Sequence, residues 1–364
     1  MIKRILFIVM ILLITGTVQA QVQSTIGGAV SGPGQFTLTV TKSGTGTGSV
    51  LSTPSGINCG VTCSFSFNAG STITLTATPD AGSEFVQWTG GATDTNPIIS
   101  VSVTSNKTID SEFFAPAKGE FLVGWYKFNE GGGTVVNNYA VDGSSGGGPL
   151  PNLAVVENDG IFWSFQPGFG STAAITFGTG DGLNDFAWAS TGRDIGGANK
   201  AQIGGFFKRR VATGNVGGYG ITTRSLHTGG TQGVRLFTCN SGASQGYLFQ
   251  WGGSNPTFAY DGALINVWLF HFFDSTGKYR IVKPDGTVLV SAATANLAVA
   301  VNIDFIMFGG DTLDAASPTK CFTPGGNSYG DFLIYNQTTL TLTEWGQIYD
   351  SLRGRYGMAA RSGW

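Results

Sequence analysis

Charge is scarce in this chain. Asp, Glu, Lys and Arg make up 12% of its 364 residues, about half the share of an ordinary soluble domain. With 20 basic and 22 acidic residues the net charge is −2. That balance excludes a nucleic-acid footprint, which needs clustered Lys and Arg, and the cluster Lys208-Arg209-Arg210 reads as a solvated strand end. Histidine is limited to His227 and His271, and no set of nearby His and Cys residues has the ligand number of a zinc site. The four cysteines include no Cys-x-x-Cys pair, which removes the usual redox motif. Long apolar runs are missing too, apart from Ile5–Ile14 near the start. That run is shorter than the roughly 20 residues of a membrane helix. Lys3 and Arg4 precede it and Val18-Gln19-Ala20 offers a small-residue cleavage site, so residues 1–20 read as a signal peptide and the chain as an exported, extracellular or cell-surface protein with no membrane span once the signal is removed.

In an exported chain, cysteines favour disulfides. Cys59 and Cys63 can be bridged across a tight turn, and Cys239 and Cys321 are the only remaining partners for each other. What the chain has in abundance is glycine, 57 residues, together with alternating segments. Residues 21–35 read as a flexible leader. Phe36-Thr37-Leu38-Thr39-Val40, Ile73-Thr74-Leu75-Thr76-Ala77 and Ile99-Ser100-Val101-Ser102-Val103 alternate apolar and polar residues, as half-buried antiparallel strands do. Turn signals such as Pro79-Asp80-Ala81-Gly82 separate them. A linker over 116–119 follows, then a second domain over 120–357 and a tail over 358–364. Because the linker is short and polar and each side has its own strands, the two domains are expected to fold separately.

Residues 36–115, with Gly56-Ile57-Asn58-Cys59, Cys63, the strand from Thr72 to Pro79 and Phe85-Val86-Gln87-Trp88, resemble the divergent internalin B-type bacterial repeats. The resemblance implies a small β module with a spacer or presenting role. Trp88, after Phe85 on an alternating strand, reads as core.

The second domain opens on Leu122-Val123-Gly124-Trp125-Tyr126-Lys127-Phe128-Asn129-Glu130 and closes on Ile334-Tyr335-Asn336 through Ile348-Tyr349. These phrases resemble the opening and closing elements of LamG-like, concanavalin A-type jelly rolls. The fold expected is therefore all-β, a small repeat module followed by a jelly-roll β-sandwich. Val267–Phe273 and Ile303–Phe308 read as strands of its packed interior, and Tyr279–Val290 as a hairpin with a Pro-Asp-Gly turn. One helix is expected near the end, capped by Thr343 with Glu344 in its first turn. Residues 170–262 do not align to the resemblance.

Glycan hydrolysis needs two carboxylates flanking the scissile bond, and laminarinase-type members of this fold carry theirs in a Glu-x-Asp-x-Glu-like run. Here Glu84, Glu112, Glu120, Glu130, Glu157 and Glu344 stand singly. His271, inside an apolar strand, reads as a hydrogen-bonded core residue. The resemblance implies calcium as a possible cofactor on rim loops, with Asp181 and Asp185 (beside Asn184) or Asp311 and Asp314 as candidate ligands; the same residues also read as turn formers. Sugar-stacking candidates are Trp251, Trp188, Tyr247 and Tyr260, with Trp163 beside them, and core packing is the alternative for each. The reading is a non-catalytic binding or adhesion protein whose jelly roll contacts a glycan or a surface protein. A structural subunit of an extracellular matrix or filament and an atypical glycoside hydrolase are the alternatives.

Overall fold

A computed structural model describes residues 34–156, 162–165, 173–177, 186–195, 200–208, 218–224, 234–239, 246–251, 257–259, 264, 266–297, 301–308 and 327–364. The fold is all-β, with one α-helix among the described residues. No helix among them is long and apolar enough to cross a membrane.

The smaller module comprises β1 (Gln35–Gly44), β2 (Gly48–Thr53), β3 (Ser64–Asn68), β4 (Thr72–Pro79), β5 (Glu84–Gly90), β6 (Ile98–Ser102) and β7 (Lys107–Phe114). They form a four-stranded sheet, β3-β1-β7-β5, and a three-stranded one, β2-β4-β6. Alternation does what period two requires: Leu38, Val40, Ile73, Leu75 and Val101 enter one core with Trp88. Thr37 and Thr39 point outward and bond Ser66 and Ser64 across the β1–β3 pair. Trp88 is fully buried and donates its indole N–H to the Asn96 carbonyl. Cys59 and Cys63 form the expected disulfide; Asn58 and Thr62 exchange backbone hydrogen bonds around it.

The larger unit contains β8 (Leu122–Tyr126), β9 (Val135–Val136), β10 (Leu153–Val156), β11 (Phe162–Phe165), β12 (Ala173–Phe177) and β13 (Phe186–Ile195). It continues with β14 (Ala201–Lys208), β15 (Gly218–Arg224), β16 (Val234–Cys239), β17 (Gly246–Trp251) and β18 (Thr257–Ala259). The last strands are β19 (Trp268–Phe273), β20 (Lys278–Val282), β21 (Val288–Thr294), β22 (Val301–Phe308) and β23 (Asn327–Asn336). One sheet runs β18-β17-β16-β15-β22-β13-β10-β9; the other runs β11-β12-β23-β14-β19-β20-β21, with β8 also paired to β23. The two sheets face each other: Phe308 of the first meets Tyr329 and Phe332 of the second with ring centroids 5.8 and 5.4 Å apart. The opening and closing phrases of the sequence thus lie side by side, Trp125 opposite Leu333 and Tyr126 opposite Phe332. The expected hairpin is β20–β21, its turn completed by Gly286 at φ +81°.

The sheet containing β14, β19 and β23 is covered on both faces, which explains why β19 reads as a continuous apolar run. Helix α1 (Leu342–Leu352) lies on its outer face and buries Trp345, Ile348, Tyr349 and Leu352. A Cβ on Gly204 of β14 would stand 2.7 Å from the Trp345 ring, so the close approach depends on that glycine. The helix cap differs from the sequence expectation: it is Thr341, not Thr343. Thr341 accepts from the Glu344 backbone N–H while Glu344 accepts from the Thr341 N–H. A capping box needs its acid three residues after the cap, and only Thr341 stands at that distance. Residues 358–364 continue along this face, where Trp364 stacks on Phe272 with centroids 5.4 Å apart.

The two units meet in a packed seam. Phe114, which ends the small module, belongs to the same buried cluster as Trp125, Phe270 and Trp345 of the larger unit, and meets Trp125 edge to face at 5.9 Å. In the connection, Pro116 is buried and Lys118 pairs with Glu344 at 3.2 Å.

Candidate functional site

A cleft of about 490 Å³ opens along this seam. One wall is the β4–β5 turn of the small module, Pro79–Ser83, with Thr95 and Pro97 beside it. The other is Trp125 of β8 with the segment that follows the strand: Lys127, Asn129, Tyr139 and Val141. Asn138 sets that second wall. Its side-chain oxygen accepts from the Trp125 and Ala140 N–H groups, and its amide donates to the Val123 and Leu150 carbonyls. All of the amide's bonding capacity is thereby used, and Tyr139 is held beside Trp125, with ring centroids 6.5 Å apart.

Charged residues are buried in this lining beside Trp125. Lys127, 6% exposed, places its ammonium 4.1 Å from the Trp125 ring centroid and 4.2 Å from that of Tyr139. The same ammonium lies 3.2 Å from Glu84 Oε2. Glu84 Oε1 pairs with Arg355 Nη2 at 2.7 Å, and Arg355 Nη1 reaches Asp331 Oδ2 at 3.2 Å. Asp331, 1% exposed, also accepts from Trp125 Nε1 at 3.0 Å and from the Tyr356 hydroxyl at 2.7 Å. That hydroxyl in turn accepts from the Asp331 backbone N–H. Two cations and two anions from β5, the residue after β8, β23 and the segment after α1 therefore form one chain of ion pairs across the seam.

Burial raises the Glu84 carboxyl, but Arg355 and Lys127 outweigh it and hold the group below its ordinary range. Asp331 stands above its ordinary range, because burial dominates, Arg355 offsets it in part and the Glu84 charge adds to it. Burial lowers Arg355, yet its two carboxylate partners more than reverse this and keep it cationic. His271 is remote from this chemistry. Burial pushes it down to about 3, and Nδ1 lies 2.5 Å from the Tyr279 hydroxyl, so it is the neutral core residue expected of it.

The sequence-derived candidates are placed as follows. Trp188 lies on β13 opposite Ala154 and Met307. Tyr247 and Trp251 lie on β17, opposite Thr238 and Val234. In the sheet order β17 and β13 are four strand spacings apart, about 19 Å. Cys239 ends β16, and Trp163 lies on β11. Tyr260, Asp181, Asn184, Asp185, Asp311, Asp314 and Cys321 lie outside the described residues. Sequence reasoning missed the seam: Glu84 read as a single glutamate, and Lys127, Asp331 and Arg355 were not singled out. The available signal was one lysine in the run Leu122–Phe128, every residue of which is buried.

Among solved structures, the chain is similar to the botulinum neurotoxin serotype D binding domain at 13% identity and TM-score 0.42, over 64% of this chain and 51% of that one. It is also similar to the botulinum neurotoxin DC binding domain in complex with SialylT, at 14% identity and TM-score 0.41, over 64% and 52%. A third likeness is to Trypanosoma rangeli sialidase in complex with sialic acid, at 10% identity and TM-score 0.39, over 65% and 33%. The matches span about half the length of the toxin chains. No curated protein sequence matches this chain. Residues 36–117, the smaller module, match the family model described as the divergent InlB B-repeat domain.

Proposed function

We propose that the protein is an exported, non-catalytic binding or adhesion protein, in which a β-sandwich of the LamG-like, concanavalin A type recognises a glycan or a surface-protein ligand and the repeat module supports it. The observation that carries this reading is the seam cleft, since small-ligand sites favour domain interfaces and combine apolar surface with a few placed polar groups. The state of the buried carboxylates supports the non-catalytic part. Glu84 and Asp331 have their oxygens engaged by Lys127, Arg355, Trp125 and Tyr356, whereas a glycosidase needs one carboxyl to donate a proton and another to attack or to activate water. The pairing of β8 with β23 supports the jelly-roll assignment, because it joins the two phrases on which the resemblance rests. The test has two arms. Purified protein on arrays of glycans and of extracellular proteins is expected to bind one class, and incubation with soluble polysaccharides is expected to release no reducing sugar. Sugar release abolished by changing a single Asp or Glu would overturn the non-catalytic reading.

A further inference from the structure

We propose that the seam cleft is itself the ligand site and that its ligand is a short, uncharged oligosaccharide. This rests on the binding reading above and names the place and ligand class that reading leaves open. The first reason is charge. Among the charged lining residues, Lys127, Arg355 and Glu84 are each paired inside the protein, and with Asp331 the four charges cancel. An anionic ligand would have to draw Lys127 or Arg355 away from a buried carboxylate and leave that carboxylate uncompensated, which is costly. A cationic ligand would find the space between Trp125 and Tyr139 already filled by Lys127.

The second reason is the surface left over. Pro79, Ala81, Pro97 and Val141 present C–H groups, and between them stand the exposed Asp80 carboxylate, the Thr95 hydroxyl and the half-buried Asn129 amide. A pyranose alternates apolar C–H faces with a rim of hydroxyls that both donate and accept. The cleft offers acceptors at Asp80, a donor and an acceptor at Asn129, and both at Thr95. The volume of about 490 Å³ lies within the roughly 300–1,000 Å³ of small-ligand sites. An extended peptide would also meet C–H surface and amides, but the Asp80 carboxylate accepts while Thr95 and Asn129 both donate and accept, a set that matches the donating and accepting hydroxyls of a sugar.

The test uses the full chain and two matched probe sets, neutral gluco-, xylo-, manno- and chito-oligosaccharides and the same backbones carrying sulfate or carboxylate, titrated calorimetrically. Neutral sugars are expected to bind. Ala81→Trp, which fills the cleft from an exposed turn, and Asp80→Ala are each expected to weaken binding at least about tenfold with an unchanged melting temperature. If neutral sugars bind but Ala81→Trp has no effect, the cleft assignment falls while carbohydrate recognition elsewhere on the molecule stands. If only the charged set binds, or only unrelated peptides do, the ligand class is overturned. If no sugar of either set binds, both the cleft proposal and the glycan arm of the functional reading are overturned.

Discussion

Glu84 compensates two cations with one carboxylate, and Asp331 shares one of them. Removing one partner of a buried pair leaves the others uncompensated, so Glu84→Gln is expected to cost about 3–5 kcal/mol of stability, measured by denaturant unfolding. The pH dependence has a definite sign. Glu84 sits below its ordinary 4.5, so its contribution is present above about pH 4.5 and lost as the pH falls through the lowered folded value. Asp331 sits above its ordinary 3.8, so ionising it opposes folding as the pH rises past that value. The stability gap between wild type and Glu84→Gln should therefore be largest near neutrality and shrink below about pH 4.5. A gap that stays constant into strong acid would show that Glu84 acts through packing and not through its charge. None of this was visible in the sequence, because each charge stands alone in a different element and a cluster assembled from separate strands leaves no periodic trace.

Elements were far more legible. β1, β4 and β6 follow their alternating segments because one face of each is buried and the other is wet. The continuous apolar run of β19 is matched by burial of every residue in it, and the reason lies outside the strand, in α1 and the facing sheet. The helix start was misplaced by one pair of residues because Thr341 and Thr343 carry the same hydroxyl; only the distance to Glu344 separates them. Thr341→Ala should cost about 1 kcal/mol by loss of the cap, with Thr343→Ala close to neutral as the control, both read by thermal melting. Equal losses would mean that the box contributes nothing beyond propensity. Trp188, Tyr247 and Trp251 stand on strands in the stretch 170–262, which the resemblance did not reach, and a sequence gives no sheet order, which here puts β13 four strand spacings from β17.

For the molecule as a whole, the sequence led to an expectation of two independently folding units, and the seam changes what should be seen. Without residues up to 117, the larger unit loses the Phe114 contact to Trp125 and the Glu84 partner of Lys127 and Arg355. Expressed from Glu120 onward, it should melt cooperatively but at a lower temperature than the full chain. Identical melting temperatures would show the seam to be energetically silent.

The pairing of β8 with β23 also has a mechanical side. Leu122 at the start of β8 lies opposite Tyr335 near the end of β23, so tension applied between the small module and the segment after β23 would enter the ladder at one end and open it bond by bond, like a zip, without shearing all its hydrogen bonds together. The Arg355–Glu84 and Lys118–Glu344 contacts tie those same two chain segments to each other before the ladder is reached, and make them the clasp that tension must undo first.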